Sequence, residues 1–160
     1  MKRTKSTALE MRQDIPAVTP KRPLESSMSF LVRDVARAVG KELGRRIEPH
    51  GIGVSGWLLL RCIAQDEGLS QRELSKKLGV MEPSSLELLL KLEEQGLVTR
   101  TRSDTDRRKV EIRLSPKGRA LFEELWVHAE AVNDIINGFG TQQEADTLKE
   151  LLHKVRRMFP

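Results

Sequence analysis

The spacing of apolar residues divides the chain into helical segments and one β-hairpin. From Glu25 onward, apolar side chains recur at steps of three and four positions, which places them on one helix face: Met28, Val32, Val35, Val39, Leu43 and Ile47. Pro49 and Gly51 follow this pattern, and both residue types end helices. The pattern therefore predicts a long amphipathic first helix.

Three short helices are expected next, over residues 55–67, 70–78 and 83–95. Ser55 is the expected N-cap of the first, and Ser70 with Glu73 forms a capping box at the second. Pro83 marks the first helical position of the third. Three glycines, each followed by an apolar residue, have the pattern of a Schellman stop: Gly68, Gly79 and Gly96.

The pattern then changes to that of two strands. Residues 97–102 are rich in β-branched side chains, and residues 109–114 alternate polar and apolar positions. Between them lies a charged segment, 103–108. This order predicts a two-stranded hairpin with a charged tip, placed directly after a helix-turn-helix.

Two further helices close the chain. Ser115-Pro116 begins the first, and Gly138 and Gly140 interrupt it. A capping box from Thr141 to Glu144 begins the second. Each has an apolar stripe, formed by Leu121, Leu125, His128, Val132, Ile135 and Phe139 in the first and by Ala145, Leu148, Leu152, Val155 and Phe159 in the second.

A small central domain cannot cover apolar faces of this length, so we expect a second copy of the chain to cover them. A two-fold homodimer is the commonest arrangement. The predicted interface residues are Val32, Val35, Leu125, His128, Val132, Ile135, Leu148 and Leu152.

The predicted fold is mostly α with a small β-hairpin wing, a winged helix-turn-helix with long dimerisation helices. Residues 1–24 form a disordered basic arm, and residues 25–50 an N-terminal dimerisation helix. Residues 51–115 form the DNA-binding lobe, and residues 116–160 the C-terminal dimerisation helices. The arm contains Pro16, Pro20 and Pro23, and it is either a tail without function or a source of weak phosphate contacts.

Composition narrows the classes of function. The chain has 160 residues, of which 38% are hydrophobic and 32% charged, so it is a folded protein and not a disordered one. The net charge is +5, but residues 1–24 carry four of these five charges, so basicity alone does not predict a nucleic-acid partner. No apolar run is long enough to span a membrane and the N-terminus has no apolar signal-peptide core, so we expect a cytoplasmic protein.

The same composition argues against enzymatic or metal chemistry. A single Cys cannot form an intrachain disulfide or hold a structural zinc, and no His, Cys and Asp residues cluster at the spacing of metal ligands. The sequence also has no glycine-rich phosphate loop and no nucleophile motif. We therefore expect no enzyme activity, no cofactor and no metal.

The stretch from Ser70 to Gly118 resembles the MarR family of bacterial transcriptional regulators. The matching segments are Ser70-Gln71-Arg72-Glu73-Leu74-Ser75, Leu92-Glu93-Glu94-Gln95-Gly96-Leu97-Val98-Thr99-Arg100, Asp104-Thr105-Asp106-Arg107-Arg108 and Leu114-Ser115-Pro116-Lys117-Gly118. The resemblance implies a winged helix-turn-helix dimer in which the first and last two helices form the interface. It also implies release from DNA by a small, often aromatic, effector bound between the interface and the DNA-binding lobe.

The predicted DNA contacts fall on the wing and on two helices. Residues 99–117 carry seven basic and three acidic side chains, and an arginine at the tip of such a wing can enter a narrow minor groove. The helix over 83–95 is the expected recognition helix. The predicted contact residues are Arg102, Asp106, Arg107, Arg108 and Lys109 on the wing, Ser84, Ser85 and Glu87 on the recognition helix, and Arg72, Lys76 and Lys77 on the helix before it.

The recognition helix departs from the family at Leu86 and Glu87, where relatives commonly carry Thr or Ser and a basic residue. Glu can accept a hydrogen bond from cytosine N4, and Leu can contact a thymine methyl group. Alternatively, Glu87 lies on a solvated helix face. The departure keeps a second class of function open, that of a winged-helix scaffold that binds proteins without reading DNA sequence.

Other residues have two interpretations each. The predicted effector contacts are Trp57, His50, Arg33, Arg37 and Phe30. In the alternative interpretation, which the sequence favours for Trp57, this side chain packs at the base of the second helix, His50 lies in a loop and the arginines are solvated. Cys62 is either a buried core residue or the thiol of an oxidant-sensing regulator. The favoured prediction is a homodimeric repressor released from a pseudo-palindromic operator by an effector.

Overall fold

The computed structural model describes residues 23–103 and 109–159. It contains six α-helices and one hairpin in the predicted order: α1 Met28–Ile47, α2 Val54–Gln65, α3 Gln71–Leu78, α4 Glu82–Glu94, β1 Val98–Arg102, β2 Val110–Leu114, α5 Pro116–Asn137 and α6 Gln142–Arg156. Short 3-10 turns at Leu24–Ser26 and Glu48–His50 flank α1. The described residues divide into two units, 23–36 and 37–159, and the boundary falls within α1.

The hydrophobic core of the second unit is centred on α2. This helix contacts α3, α4, α5 and β2. Most of its apolar side chains are buried, because these elements surround α2 on most of its faces, whereas Leu58 is 45% exposed. The large side chains with the least exposed surface are Ile47, Trp57, Leu59, Leu60, Ile63, Leu74, Leu89, Leu92, Ile112 and Leu125. The helices α2 to α4, the hairpin and α5 thus share one core.

Most helix ends follow the predicted local chemistry. The side chains of Ser70 and Thr141 each accept a hydrogen bond from the backbone N–H three residues on, within a complete capping box. Ser115 caps α5 by accepting from the N–H of Gly118 at 2.9 Å. Gly68, Gly79 and Gly96 have φ angles of 84°, 67° and 70°, which are left-handed conformations that favour glycine.

Two predicted helix starts were wrong. The α2 helix begins at Val54 with Gly53 as its N-cap, because the carbonyl of Gly53 already accepts from the N–H of Trp57, and Ser55 lies inside the first turn. Pro83 occupies the second helical position of α4, after Glu82. Both errors are shifts of one or two residues at a terminus.

The wing is an antiparallel hairpin that pairs Val98 with Leu114 and Arg102 with Val110. The β2 strand also pairs with the segment before α3. The N–H of Gly68 donates to the carbonyl of Ile112, and the N–H of Ile112 donates to the carbonyl of Leu69, both at 3.0 Å. This third pairing was not predicted. It attaches the wing to the helix-turn-helix through the backbone.

The burial of individual side chains shows that part of the predicted dimer interface is wrong. Leu125 and Val132 are buried within the core of their own chain, so they are not available to a partner. His128 is partly buried beside His50, with ring centroids 5.1 Å apart. The other predicted interface residues leave large fractions of their side chains exposed: Val32, Val35, Ile135, Leu148 and Leu152.

No helix in the two described ranges combines the length and apolar character that a membrane span requires.

Candidate nucleic-acid interface

The α3–α4 pair has the geometry of a helix-turn-helix. Gly79 ends α3 in the left-handed conformation, and the N–H of Val80 donates to the carbonyl of Ser75 at 3.1 Å. The side-chain amide of Gln71 donates to the carbonyl of Glu82 at 3.3 Å. These contacts fix the start of α4 relative to α3, as a recognition helix requires.

A buried pair of hydroxyl groups joins the two helices. The Ser75 and Ser85 Oγ atoms lie 2.5 Å apart. Each Oγ is also within hydrogen-bond distance of a backbone carbonyl of its own helix, at Gln71 and Glu82, so one hydroxyl donates to the other and the second donates to its own carbonyl. Both side chains are nearly inaccessible to solvent. The prediction that Ser85 is an exposed DNA contact is therefore wrong, because it points toward α3.

The other predicted positions on α4 are available to a ligand. Ser84 and Glu87 are exposed, and Leu86 is partly buried. Lys91, which the sequence analysis did not select, is also exposed and lies one helical turn after Glu87. Its spacing of four residues from Glu87 was the signal that could have identified it. The start of α4 thus presents a hydroxyl and a carboxylate, with an ammonium group further along.

Ion pairs neutralise part of the positive charge on α3. Arg72 is 88% exposed and lies 3.7 Å from the Glu82 carboxylate. The ammonium of Lys77 pairs with Asp66, which raises the pKa of Lys77. Lys76 is exposed and forms no ion pair with any residue in the described ranges. Lys76 and Arg72 are therefore the more available phosphate contacts on this helix.

The basic side chains of the wing also divide into those that pair with a carboxylate and those that do not. Lys109 lies 3.2 Å from Glu73, Arg100 lies 3.5 Å from Glu93, and Arg113 lies 2.8 Å from Glu111. Arg102 is exposed at the end of β1 and forms no ion pair with another residue of the described wing. Asp106, Arg107 and Arg108 lie outside the described residues, so their predicted roles stay predictions.

Glu73 links the helix-turn-helix to the wing. Its carboxylate accepts from the N–H of Ser70 at 2.7 Å and from the Ser70 hydroxyl at 2.8 Å, and Lys109 approaches the same oxygen. These hydrogen bonds, from the backbone first, lower the pKa of Glu73 to about 2. The Glu73 carboxylate therefore stays charged across the physiological pH range. Its ion pair with Lys109 links α3 to the residue just before β2.

The predicted effector contacts differ in their burial. Trp57 is buried in the core, stacked on Phe122 at 5.3 Å between ring centroids, so it cannot touch a ligand directly. His50 is partly buried and its Nδ1 lies 2.8 Å from the Glu124 carboxylate. Phe30 is partly buried, whereas Arg33 and Arg37 are exposed.

An open cleft of about 450 Å³ lies beside Trp57, between α2 and α5. Its lining comprises Arg61, Ala64, Gln65, Phe122, Glu123 and Trp126. The Arg61 guanidinium stands over the Trp126 ring at 5.2 Å from the centroid, a cation–π arrangement. The sequence analysis missed this cleft, although Phe122 and Trp126 are four residues apart and therefore share a helix face.

Cys62 is buried in the core, as one of its two interpretations predicted. Burial raises the pKa of its thiol, which lowers the fraction of reactive thiolate. Within the described ranges no three His, Cys, Asp or Glu side chains are close enough to hold a metal ion.

The helix-turn-helix and most of the wing are similar to those of known proteins. Residues 54–110 match the model of the MarR family. FarR of Neisseria gonorrhoeae, an HTH-type transcriptional regulator, is 28% identical over 102 residues, which are 64% of this chain and 70% of FarR. TtmR of Methylorubrum extorquens (strain PA1), another HTH-type transcriptional regulator, is 34% identical over 98 residues, which are 61% of this chain and 50% of TtmR.

Solved structures give the same fold. CouR from Rhodococcus jostii RHA1 bound to p-coumaroyl-CoA has a TM-score of 0.77 and 24% identity, over 84% of this chain and 94% of that one. The repressor CouR bound to a 23-mer DNA duplex has a TM-score of 0.77 and 22% identity, over 88% of this chain and 99% of that one. The predicted winged helix-turn-helix fold is confirmed, and the two sequence relatives are transcriptional regulators.

Proposed function

We propose that this chain, which carries a MarR-family winged helix-turn-helix domain, acts as a homodimeric repressor that a small ligand releases from a two-fold symmetric DNA site. The observation that carries the proposal is the exposed start of α4, where Ser84 and Glu87 face solvent while the Ser75–Ser85 hydrogen bond holds the helix in place. A rigid helix with a polar, exposed N-terminal turn is what reading of base edges in the major groove requires.

The wing supplies the proposed affinity for phosphates. Arg102 leads toward the tip, where Arg107 and Arg108 follow in sequence. The other basic side chains of the wing are paired with carboxylates and therefore contribute less net charge. We assign most of the wing's electrostatic attraction to Arg102, Arg107 and Arg108. The flanking minor groove is the proposed contact of Arg108, with Asp106 orienting it.

The proposed dimer uses the apolar side chains that the single chain leaves exposed. On α6 these are Leu148, Leu151, Leu152 and Val155, at the spacing of one helix face, and only Ala145 of this helix is buried. On α5 and just beyond it Ile135 and Phe139 are exposed, and in the first unit Met28, Leu31, Val32 and Val35 are exposed. A second copy is the proposed cover for these faces, as two-fold pairing buries the same patch on both chains.

The proposed effector site is the α2–α5 cleft, which lies against the buried Trp57–Phe122 stack. The rings of Phe122 and Trp126 and the guanidinium of Arg61 suit a flat, anionic organic molecule. CouR, which shares the fold, has been solved with p-coumaroyl-CoA, so p-coumarate and p-coumaroyl-CoA are suitable first probes. Quenching of tryptophan fluorescence that is lost in Trp126→Phe but kept in Trp57→Phe would assign the site to this cleft.

The experiment that tests the proposed function is selection from a random duplex pool at near-physiological salt. We expect a two-fold symmetric site with half-site centres about 10 bp apart. Arg108→Ala and Arg102→Ala should weaken binding and lower the salt dependence by about one counterion each per wing. Arg45→Ala is the matched control, since Arg45 is an exposed arginine on α1 that pairs with Glu42. Failure to enrich any sequence would favour the alternative, a winged-helix scaffold that binds proteins.

A further inference from the structure

One exposed apolar side chain at the proposed DNA-reading end of α4 has no role in the fold. Met81 is the N-cap residue of α4, and it is 75% exposed, more than any other large apolar side chain between residues 37 and 157 of the described chain. It makes no side-chain capping hydrogen bond. Its neighbour Val80, in the turn, is 45% exposed. A water-exposed methionine at a helix N-cap therefore contributes neither to the core nor to capping, where Ser, Thr, Asp or Asn is preferred.

The position of Met81 in the helix-turn-helix indicates what it would meet. Its carbonyl accepts from the N–H of Ser85 at 3.1 Å, so its backbone is part of the first turn of α4. Ser84 and Glu87, the exposed polar residues of this end, follow within two turns. In helix-turn-helix proteins the N-terminal residues of the second helix contact base edges in the major groove.

The major groove offers one apolar group to such a side chain, the 5-methyl group of thymine. Phosphates and the other base edges are polar, and an exposed thioether gains little from them. Methionine is unbranched and flexible, so it can follow the surface of a methyl group without a fixed geometry. An apolar contact beside the polar residues of α4 would add discrimination between thymine and cytosine.

We infer that Met81 is a specificity-determining residue that contacts a thymine methyl group in each half-site. This inference rests on the proposed function, since it requires that α4 enters the major groove. It extends the set of reading residues to a position that lies before the helix and carries no hydrogen-bonding group.

The test removes the thymine methyl group from the DNA and the Met81 side chain from the protein, singly and in combination. The selected duplex is made with deoxyuridine in place of each conserved thymine in turn, which removes only the 5-methyl group. Binding of the full chain is measured by fluorescence anisotropy for the unchanged protein and for Met81→Ala. We expect one deoxyuridine position per half-site to weaken binding by the unchanged protein about fourfold, the ratio for one buried methyl group. The same change should leave binding by Met81→Ala unaffected.

Leu90→Ala is the matched control, because Leu90 is an exposed apolar residue of the same helix, 46% exposed, nine positions further on and toward its other end. It should keep the full dependence on the methyl group. Thermal unfolding of all three proteins monitors the fold, and an exposed side chain at position 81 should have little effect on it.

The outcomes separate this inference from the proposed function. Equal loss on deoxyuridine substitution in the unchanged protein and in Met81→Ala, no loss in either, or a selected site without a conserved thymine would overturn the role of Met81 while leaving DNA reading intact. Failure to bind any duplex even at low salt would overturn the proposed function, and this inference with it.

Discussion

Gly118 in α5 lies directly against the backbone of Leu97, such that a Cβ atom at position 118 would be 1.9 Å from the Leu97 carbonyl oxygen. The same carbonyl accepts the N–H of Ser115 at 3.0 Å. The Ser115 hydroxyl in turn donates to the carbonyl of Gly96 at 2.6 Å and accepts from the N–H of Gly118. The start of α5 is thus fastened to the end of α4 and the start of the wing through backbone contacts.

Gly118→Ala should therefore destabilise the protein by about 3 kcal/mol or more, the upper end of the range for overpacking, because backbone cannot move aside as a flexible side chain can. Gly40→Ala is the control, since no atom lies within 4 Å of its Cβ position and α1 is helical there. It should be neutral or stabilising by up to about 1 kcal/mol. Urea unfolding followed by circular dichroism measures both, and equal effects of the two substitutions would contradict the close contact.

Ser85→Ala should lower stability by about 1 kcal/mol, since it removes the hydrogen bond between α3 and α4 while the Ser75 hydroxyl keeps its bond to Gln71. Ser84→Ala, at the exposed neighbouring position, should change stability by less than about 0.5 kcal/mol. The comparison uses urea unfolding. A larger loss from Ser84→Ala than from Ser85→Ala would show that the recognition helix is held differently.

Glu73 should make the stability of the lobe sensitive to acid. Its pKa is lowered from 4.5 to about 2, so its contribution to stability is complete above pH 4.5 and is lost as the pH falls toward 2. Glu73→Gln should be less stable than the unchanged protein at pH 7, and the difference should shrink as the pH falls. Thermal unfolding between pH 7 and pH 2.5 measures it, with Glu94→Gln as a charge-matched control. A difference that is independent of pH would contradict the assignment.

Cys62 should be unreactive in the folded protein, because its side chain is 6% exposed and burial raises the pKa of its thiol. An aromatic disulfide reagent should label it slowly in buffer and rapidly in concentrated urea. Peroxide at concentrations that oxidise exposed thiols should leave affinity for the selected duplex unchanged. Loss of affinity that Cys62→Ala prevents would revive the oxidant-sensing alternative.

The sequence was most informative where a structure depends on neighbouring residues. The capping boxes at Ser70 and Thr141 and the left-handed glycines at 79 and 96 depend on interactions within four residues, and each was confirmed. The winged order of elements could be predicted for the same reason. Side-chain patterns of this kind need no knowledge of which distant segment packs against the helix.

Errors arose where the environment comes from distant segments. The α5 stripe predicts that Leu125 and Ile135 share a face, but it cannot show that the core of the chain covers Leu125 and leaves Ile135 exposed. Ser84 and Ser85 have a similar sequence context but different environments. Adjacent side chains on a helix point about 100° apart, so Ser84 faces solvent and Ser85 faces α3. The pairing of Leu69 with Ile112 has no local signal, because backbone hydrogen bonds between distant segments do not depend on side-chain type.

Leu152→Glu should convert the proposed dimer into a monomer. Leu152 is 47% exposed in the single chain and lies in the α6 stripe with Leu148 and Val155. Two-fold pairing through this stripe would bury two unpaired carboxylates, at a cost of several kcal/mol per interface. Leu90→Glu is a close control, since Leu90 is 46% exposed and lies on α4, outside the α6 stripe. Sedimentation velocity at micromolar concentration should give a dimer for the unchanged protein and for Leu90→Glu, and a monomer for Leu152→Glu. A monomeric unchanged protein, or a dimer that survives Leu152→Glu, would place the contact between copies elsewhere.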